Sequence, residues 1–159
     1  MFAAIVYVVT SLQLFKGLLP NGGYVHVGDA VIFIAASILP APYAVCSGVV
    51  GASLADILSG SVGWVPATVL IKAIMALLFS SKAQTILTKR NMAMSFAASL
   101  FCAAGYLVYE LMLYGAGSAF ATLISLLWLV QLLGSCAVFA GFGYALDKIK
   151  FKEVVLRKI

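Results

Sequence analysis

Long apolar stretches, separated by short polar or proline-containing connections, run along almost the whole chain. Because an α-helix rises 1.5 Å per residue, about 20 apolar residues are needed to cross the hydrocarbon of a membrane. The pattern predicts six spans, at residues 1–19, 27–40, 42–58, 66–81, 92–114 and 119–146. The second to fourth spans are shorter than 20 residues, so we expect their helices to be tilted, bent or partly enclosed by neighbours.

Small residues and prolines add detail to this pattern. Pro40 and Pro42 flank a single alanine, which predicts a tight turn between the second and third spans. Small residues also recur at four-residue spacing in two spans, where they let helix backbones approach closely. These rows are Ala44, Gly48 and Ala52 in the third span, and Ala137, Gly141 and Ala145 in the sixth.

Composition places the chain among membrane proteins. Hydrophobic residues make up 64% of its 159 residues and charged residues only 9%, whereas soluble domains are about 25% charged. A water-soluble surface cannot be built from so few charges, so lipid must surround most of the protein. We therefore predict an all-α integral membrane protein, a compact bundle of six transmembrane helices that forms one domain over residues 1–159.

The basic residues predict the orientation of this bundle. One group lies between the fourth and fifth spans, and a second occupies a tail at residues 147–159. With six spans both groups fall on the same side, and the positive-inside rule places that side, with both termini, in the cytoplasm. Lipid contact explains the net charge of +5 better than nucleic-acid binding does. Asp147 and Glu153 lie in the basic tail, and we expect both to be solvated.

Four ionisable residues lie in or beside the spans, and all four fall in the predicted outer half of the membrane. They are Asp29, Asp56, Lys72 and Glu110. A charge at the bilayer centre costs at least ~2.5–3.5 kcal/mol, so such groups need a partner or water. Asp29 and Asp56 are candidates for structural ion pairing with Lys72, and direct contact with a ligand is the alternative for the same residues. Glu110 has no counter-charge within a turn of its own helix, which favours a ligand role.

Aromatic and polar residues gather on the same predicted side. Tyr106 and Glu110 share a helix face at i, i+4, and we expect an aromatic-walled cavity there, open to the outside, of the kind that binds small polar ligands. The candidate substrate-binding residues are Tyr24, His26, Asp29, Trp64, Lys72, Tyr106, Glu110, Trp128 and Gln131.

Structural roles fit several of these candidates equally. Tyr24 and Trp64 suit the membrane interface, which aromatic residues favour. Trp128 and Gln131 also suit contacts between helices. His26 is the single histidine of the chain, so a metal-ligand role is disfavoured, and no metal and no cofactor is predicted.

Enzymatic motifs are missing from the sequence. It contains no Walker motif, no Ser-His-Asp set, no HExxH and no CxxC, so we expect a non-enzyme. Two other functions stay open at this point. One is a small intramembrane enzyme in which Asp29, Asp56 and Glu110 hold Mg²⁺, and the other is a ligand-free structural or assembly subunit.

Three blocks resemble a known family. "YVHVGDAVIFIAA", "GVVGASLADILSG" and "WVPATVLIKAIMALL", with "GYLVYE" and Gln131 further along, are similar to substrate-binding S components of energy-coupling factor (ECF) transporters, in the riboflavin or hydroxymethylpyrimidine branch. The similarity covers about residues 1 to 146. It agrees with six helices and cytoplasmic termini, and it implies a multi-pass protein of a prokaryotic cell membrane.

The resemblance implies a function and partners. S components bind a vitamin or related micronutrient from outside and deliver it together with a membrane T component and two cytoplasmic ATPases, which hydrolyse the ATP. The solute class stays open among aminopyrimidines, queuine-like bases, pyridoxines and flavins, with a weak preference for an amine or ring N–H donor, because an ionised carboxylate only accepts hydrogen bonds. One departure concerns the T-component contact: the AxxxA pattern common on the first helix is absent, since Tyr7 follows Ala3 and Val8 follows Ala4 at i+4. Either the register begins upstream of Met1 or other small residues form that contact.

Overall fold

Helices account for all the regular structure in a computed structural model that describes residues 1–12, 28–124 and 127–157. The all-α prediction is therefore confirmed for those ranges. In chain order the helices are α1 (Phe2–Ser11), α2 (Gly28–Ile38), α3 (Ala41–Leu58), a 3₁₀ turn (Val62–Trp64), α4 (Val65–Leu77), α5 (Lys89–Tyr114), α6 (Ala116–Ile124), α7 (Leu127–Lys148) and α8 (Phe151–Leu156).

Helix ends follow local signals. Pro40 precedes α3, as the predicted turn requires, and the hydroxyl of Thr88 accepts a hydrogen bond from the backbone N–H of Asn91 at the start of α5 (3.0 Å). Gly115, with φ of +83°, ends that helix in a conformation that favours glycine. Two predicted spans differ from the structure: α4 ends at Leu77 rather than at 81, and the predicted span 119–146 corresponds to two helices, α6 and α7.

Among the described residues, three helices are long and apolar enough to cross a membrane: α3, α5 and most of α7. The described parts of α1 and α2, at 10 and 11 residues, are about 15 Å long. Large apolar side chains cover the outside of the bundle, including Leu100, Leu133 and Phe142, each more than half exposed. Such a surface suits lipid rather than water, and the number of spans stays a prediction.

The central element of the core is α2. Ten of its eleven residues are buried, because α1, α3, α4 and α7 pack around it. Phe33 of α2 stacks on Phe79 with ring centroids 4.9 Å apart and meets the edge of Phe139 at 5.9 Å. A helix that is apolar on all sides is enclosed in this way, so the carboxylate of Asp29 is carried into the middle of the bundle.

The two rows of small residues have different surroundings. Gly48 of the first row packs on Ile32 of α2, and a Cβ at Gly51 on the same helix would lie 2.6 Å from the carbonyl oxygen of Ala3 in α1. The second row faces outward, and a Cβ at Gly141 would meet nothing within 4 Å among the described residues. Only the first row therefore brings helices of this chain together.

Two tail residues hold the connection between α4 and α5. The carboxylate of Asp147 accepts hydrogen bonds from the backbone N–H groups of Ile86 and Leu87 (2.7 and 2.9 Å), so the prediction that Asp147 is solvated is wrong. Lys152 is buried, and its amine donates to a carbonyl near the end of α2 and to another after α4 (2.7 and 2.8 Å). Burial lowers the pKa of the Lys152 amine, and the nearby Asp147 carboxylate partly opposes this shift.

Candidate functional site

A buried ion pair lies near the start of α2. The amine of Lys72 on α4 is 2.5 Å from a carboxylate oxygen of Asp29, and each side chain is 5% exposed. The amide of Gln131 on α7 donates to the other oxygen of Asp29 (3.3 Å). The thiol of Cys102 on α5 accepts from Lys72 at 3.4 Å and donates to Asp29 at 3.6 Å. Four helices therefore meet at one pair of opposite charges.

Asp56 has a different partner from the one that the sequence suggested. Its carboxylate accepts a hydrogen bond from the hydroxyl of Thr68 (2.5 Å), and it forms no ion pair within 4.0 Å in the described residues. Thr68 precedes Lys72 by one helical turn on α4. It therefore lies nearer than Lys72 to the end of α3 that carries Asp56. The Thr68 hydroxyl also contacts the hydroxyl of Tyr106 (2.9 Å), whose ring centroid lies 5.3 Å from the Lys72 amine.

The aromatic residues of the predicted outer end form a cluster. Trp64 contacts Tyr106, Tyr109 and Tyr114, with ring centroids 5.9, 5.7 and 6.0 Å apart. The hydroxyl of Tyr109 donates to the carbonyl of Gly63 (2.8 Å), which ties the 3₁₀ turn to α5. Trp64 therefore packs against three tyrosine rings of α5.

Glu110 contacts α6. The hydroxyls of Ser118 and Thr122 both donate to its Oε1, at 2.6 and 2.9 Å. Its Oε2 accepts no hydrogen bond from residues within 1–12, 28–124 and 127–157. The two hydroxyls were not predicted, because a search for partners on the helix of Glu110 itself does not reach α6. They orient the carboxylate and leave one oxygen for another donor.

Of the remaining candidates, the structure describes Trp128. Trp128 donates its indole N–H to the carbonyl of Leu123 (3.2 Å), which joins α7 to α6. Tyr24 and His26 lie outside the described residues. The structure thus brings Asp29, Lys72, Tyr106 and Gln131 together, with Trp64 against Tyr106, whereas Glu110 and Trp128 contact α6.

A cavity of about 150 Å³ opens at the ends of α1 and α3, which are predicted to face outside. We call it the α1–α3 cavity. Asp56 is the one acidic residue among those lining it, and four hydroxyl-bearing residues come from α1 and the end of α3. None of these hydroxyl-bearing residues was a candidate site residue in the sequence analysis. The lining residues are Tyr7, Thr10, Ser11, Ala55, Asp56, Leu58 and Ser59.

Metal binding finds little support in this arrangement. In the part of the chain that the structure describes, no three side chains of His, Cys, Asp or Glu come together as a possible metal site. Asp29 and Asp56 are engaged by Lys72 and Thr68, and Glu110 lies on the side of α6. The proposed Mg²⁺ set of three carboxylates is therefore not assembled among the described residues.

Comparison with protein families gives a match over most of the chain. The family model described as ECF-type riboflavin transporter, S component, matches residues 1–147. Comparison with curated proteins and with solved structures gives no match. The matched range includes every helix up to the last turn of α7, and with it all the candidate site residues described above.

Proposed function

The chain belongs to the ECF-type riboflavin transporter S component family, and we propose from this membership that it captures a vitamin or related micronutrient outside the cell for import. As a member, it is a membrane-embedded subunit of a transporter and not an enzyme. S components bind small vitamin-type solutes and associate with a T component and ATPases, so ATP hydrolysis belongs to those partners. The match over residues 1–147 is the observation that carries the proposal.

We further propose six membrane spans with both termini in the cytoplasm of a prokaryotic cell. The basic residues between α4 and α5 and those after α7 support this orientation. Contacts of Asp147 and Lys152 with the α4–α5 connection support it too, because they join two basic regions at one end of the bundle. The opposite end then carries the ion pair, the aromatic cluster and the α1–α3 cavity.

The solute site is proposed at that outer end. Glu110 supplies a carboxylate that two α6 hydroxyls orient, with Oε2 left for a donor of the solute. Asp29, Lys72 and Gln131 form the buried polar floor, which either contacts the solute or holds the helices in place. The proposed contact set is Tyr24, His26, Asp29, Trp64, Lys72, Tyr106, Glu110, Trp128 and Gln131.

A binding screen tests this function. The purified protein is titrated with aminopyrimidine, queuine, pyridoxine, thiazole and riboflavin compounds, and both thermal shift and calorimetry are recorded. We expect one class to bind tightly. If no compound in any class binds or shifts the melting temperature, a ligand-free assembly subunit becomes the better account.

The variant Glu110→Gln tests the site. The amide keeps an oxygen for the hydroxyls of Ser118 and Thr122, so the ligand-free protein should melt close to the wild type. It replaces the free acceptor oxygen by a donor, and losing a charge-assisted hydrogen bond costs about 1.5–3 kcal/mol, a roughly 10- to 150-fold weaker Kd. Glu153→Gln, an exposed carboxylate at the other end, is the control. Normal binding with early melting would make Glu110 a structural residue.

A further inference from the structure

The α1–α3 cavity is linked to the contact set proposed above by the hydrogen bonds of Thr68 with Asp56 and Tyr106, and its lining is unusually polar for this protein. Five of its seven lining residues carry a hydroxyl or a carboxylate, in a chain that is 64% hydrophobic. Polar side chains that face a void in a membrane protein need water, a partner or a ligand. The cavity is therefore a candidate for binding.

Several polar atoms of the cavity have capacity left for a ligand. The side chains of Tyr7, Thr10 and Ser11 form no hydrogen bond with other residues of the described ranges. The hydroxyl of Thr68 occupies Oδ2 of Asp56, and Oδ1 accepts from no residue in those ranges. Thr68 thus orients the carboxylate in the way that the α6 hydroxyls orient Glu110, with one oxygen directed to other donors.

The electrostatics of the cavity favour a cation or an N–H donor. The cavity lies at the C-terminal ends of α1 and α3, where helix dipoles place partial negative charge. The carboxylate of Asp56 adds a full negative charge, and no basic side chain is among the described residues that line the cavity. An anionic or purely accepting ligand would be repelled by this arrangement.

The size of the cavity limits the ligand to a small one. Its volume is about 150 Å³, whereas pockets for drug-sized ligands measure roughly 300–1,000 Å³. One ring with short substituents fits this space, and three fused rings with a sugar-like chain do not. Ala55 and Leu58 supply an apolar wall on which a ring can lie.

We propose that the α1–α3 cavity binds the ring of a single-ring, amine-bearing solute, with Oδ1 of Asp56 accepting a hydrogen bond from the amine or a protonated ring nitrogen. This inference rests on the proposed function, because it names the class of solute and adds Asp56 to its contacts. The hydrogen bonds from Asp56 through Thr68 to Tyr106 connect the cavity to the Lys72–Asp29 pair. The solute thus contacts the outer end of the same polar network.

Binding of three probes to four proteins tests the proposal. The probes are a hydroxymethyl aminopyrimidine, pyridoxamine and riboflavin, and the proteins are the wild type, Asp56→Asn, Ser11→Leu and the control Glu153→Gln. Asparagine keeps an oxygen for Thr68 but loses the charge, so we expect a roughly 10- to 150-fold weaker Kd for the amine probe that binds. Leucine at the exposed position 11 fills the mouth of the cavity and should weaken binding without touching the carboxylate. The control should bind as the wild type does.

The outcomes separate this inference from the proposed function. Tight binding of riboflavin alone, unchanged in Asp56→Asn and Ser11→Leu, would overturn the inference and leave the function in place. Amine binding that neither variant weakens would also overturn it. Failure of the wild type to bind any probe in this set or in the wider screen would overturn both. If Asp56→Asn does not purify as a monodisperse protein, Ser11→Leu decides alone.

Discussion

Removing the amine of Lys72 should destabilise the ligand-free protein strongly. In the structure this amine is 2.5 Å from the carboxylate of Asp29, and both side chains are 5% exposed. Methionine keeps most of the length and volume of lysine but carries no charge. The variant Lys72→Met therefore removes the Lys72 counter-charge from the Asp29 carboxylate in a low-dielectric interior, while neutral partners such as Gln131 and Cys102 stay in place.

The expected magnitude follows from the burial of the pair. Removing one partner of a buried ion pair typically costs about 3–5 kcal/mol, mostly because an uncompensated charge stays behind. For a chain of this size each kcal/mol corresponds to roughly 2–4 °C in Tm. We expect the melting temperature to fall by roughly 6–20 °C. The double variant Asp29→Asn/Lys72→Met removes both charges and should recover at least half of that loss.

Melting of the detergent-purified, ligand-free protein measures this effect. Lys82→Met is the matched control, because Lys82 is an exposed lysine in the α4–α5 connection, and its loss should change Tm by little. Two results would refute the reasoning: a single variant that melts with the wild type, or a double variant that is no more stable than the single one. Either would mean that the pair does not hold α2 and α4 together.

Two further substitutions test the packing of the bundle. Gly51→Ala should destabilise the protein by about 1–3 kcal/mol, because the new Cβ would lie 2.6 Å from a backbone oxygen of α1. Gly141 has open space around it, so the control Gly141→Ala should be neutral or more stable by up to about 1 kcal/mol. Equal melting curves for the two variants would contradict the close α1–α3 contact. Lys152→Met should lower the stability of the protein by about 1.5–3 kcal/mol, because two carbonyls lose a charged donor. The control Lys148→Met removes an exposed lysine and should leave the stability unchanged. A Lys152 variant as stable as this control would show that α8 does not anchor the α4–α5 connection.

Much of the architecture could be predicted from local properties of the sequence. Hydropathy and proline positions are local properties of a few neighbouring residues, so the existence of the helices and their approximate ends follow from them. The prediction for Asp147 failed because a distant contact decides it: its carboxylate accepts hydrogen bonds from a connection about 60 residues earlier in the chain. Hydropathy carries no information about such partners.

The sequence by itself determined that the protein is helical and apolar and that a few charges lie in or beside its apolar stretches, because composition and periodicity depend only on the order of residues. Only the tertiary structure decided how those charges are partnered. Asp29 meets Lys72 because α2 is enclosed by its neighbours, and Asp56 meets Thr68 because that hydroxyl lies one turn nearer the end of α3. Which partner a charged side chain meets depends on the distance between side chains on different helices and on their positions along the helix axes. Both are fixed only once the helices have packed.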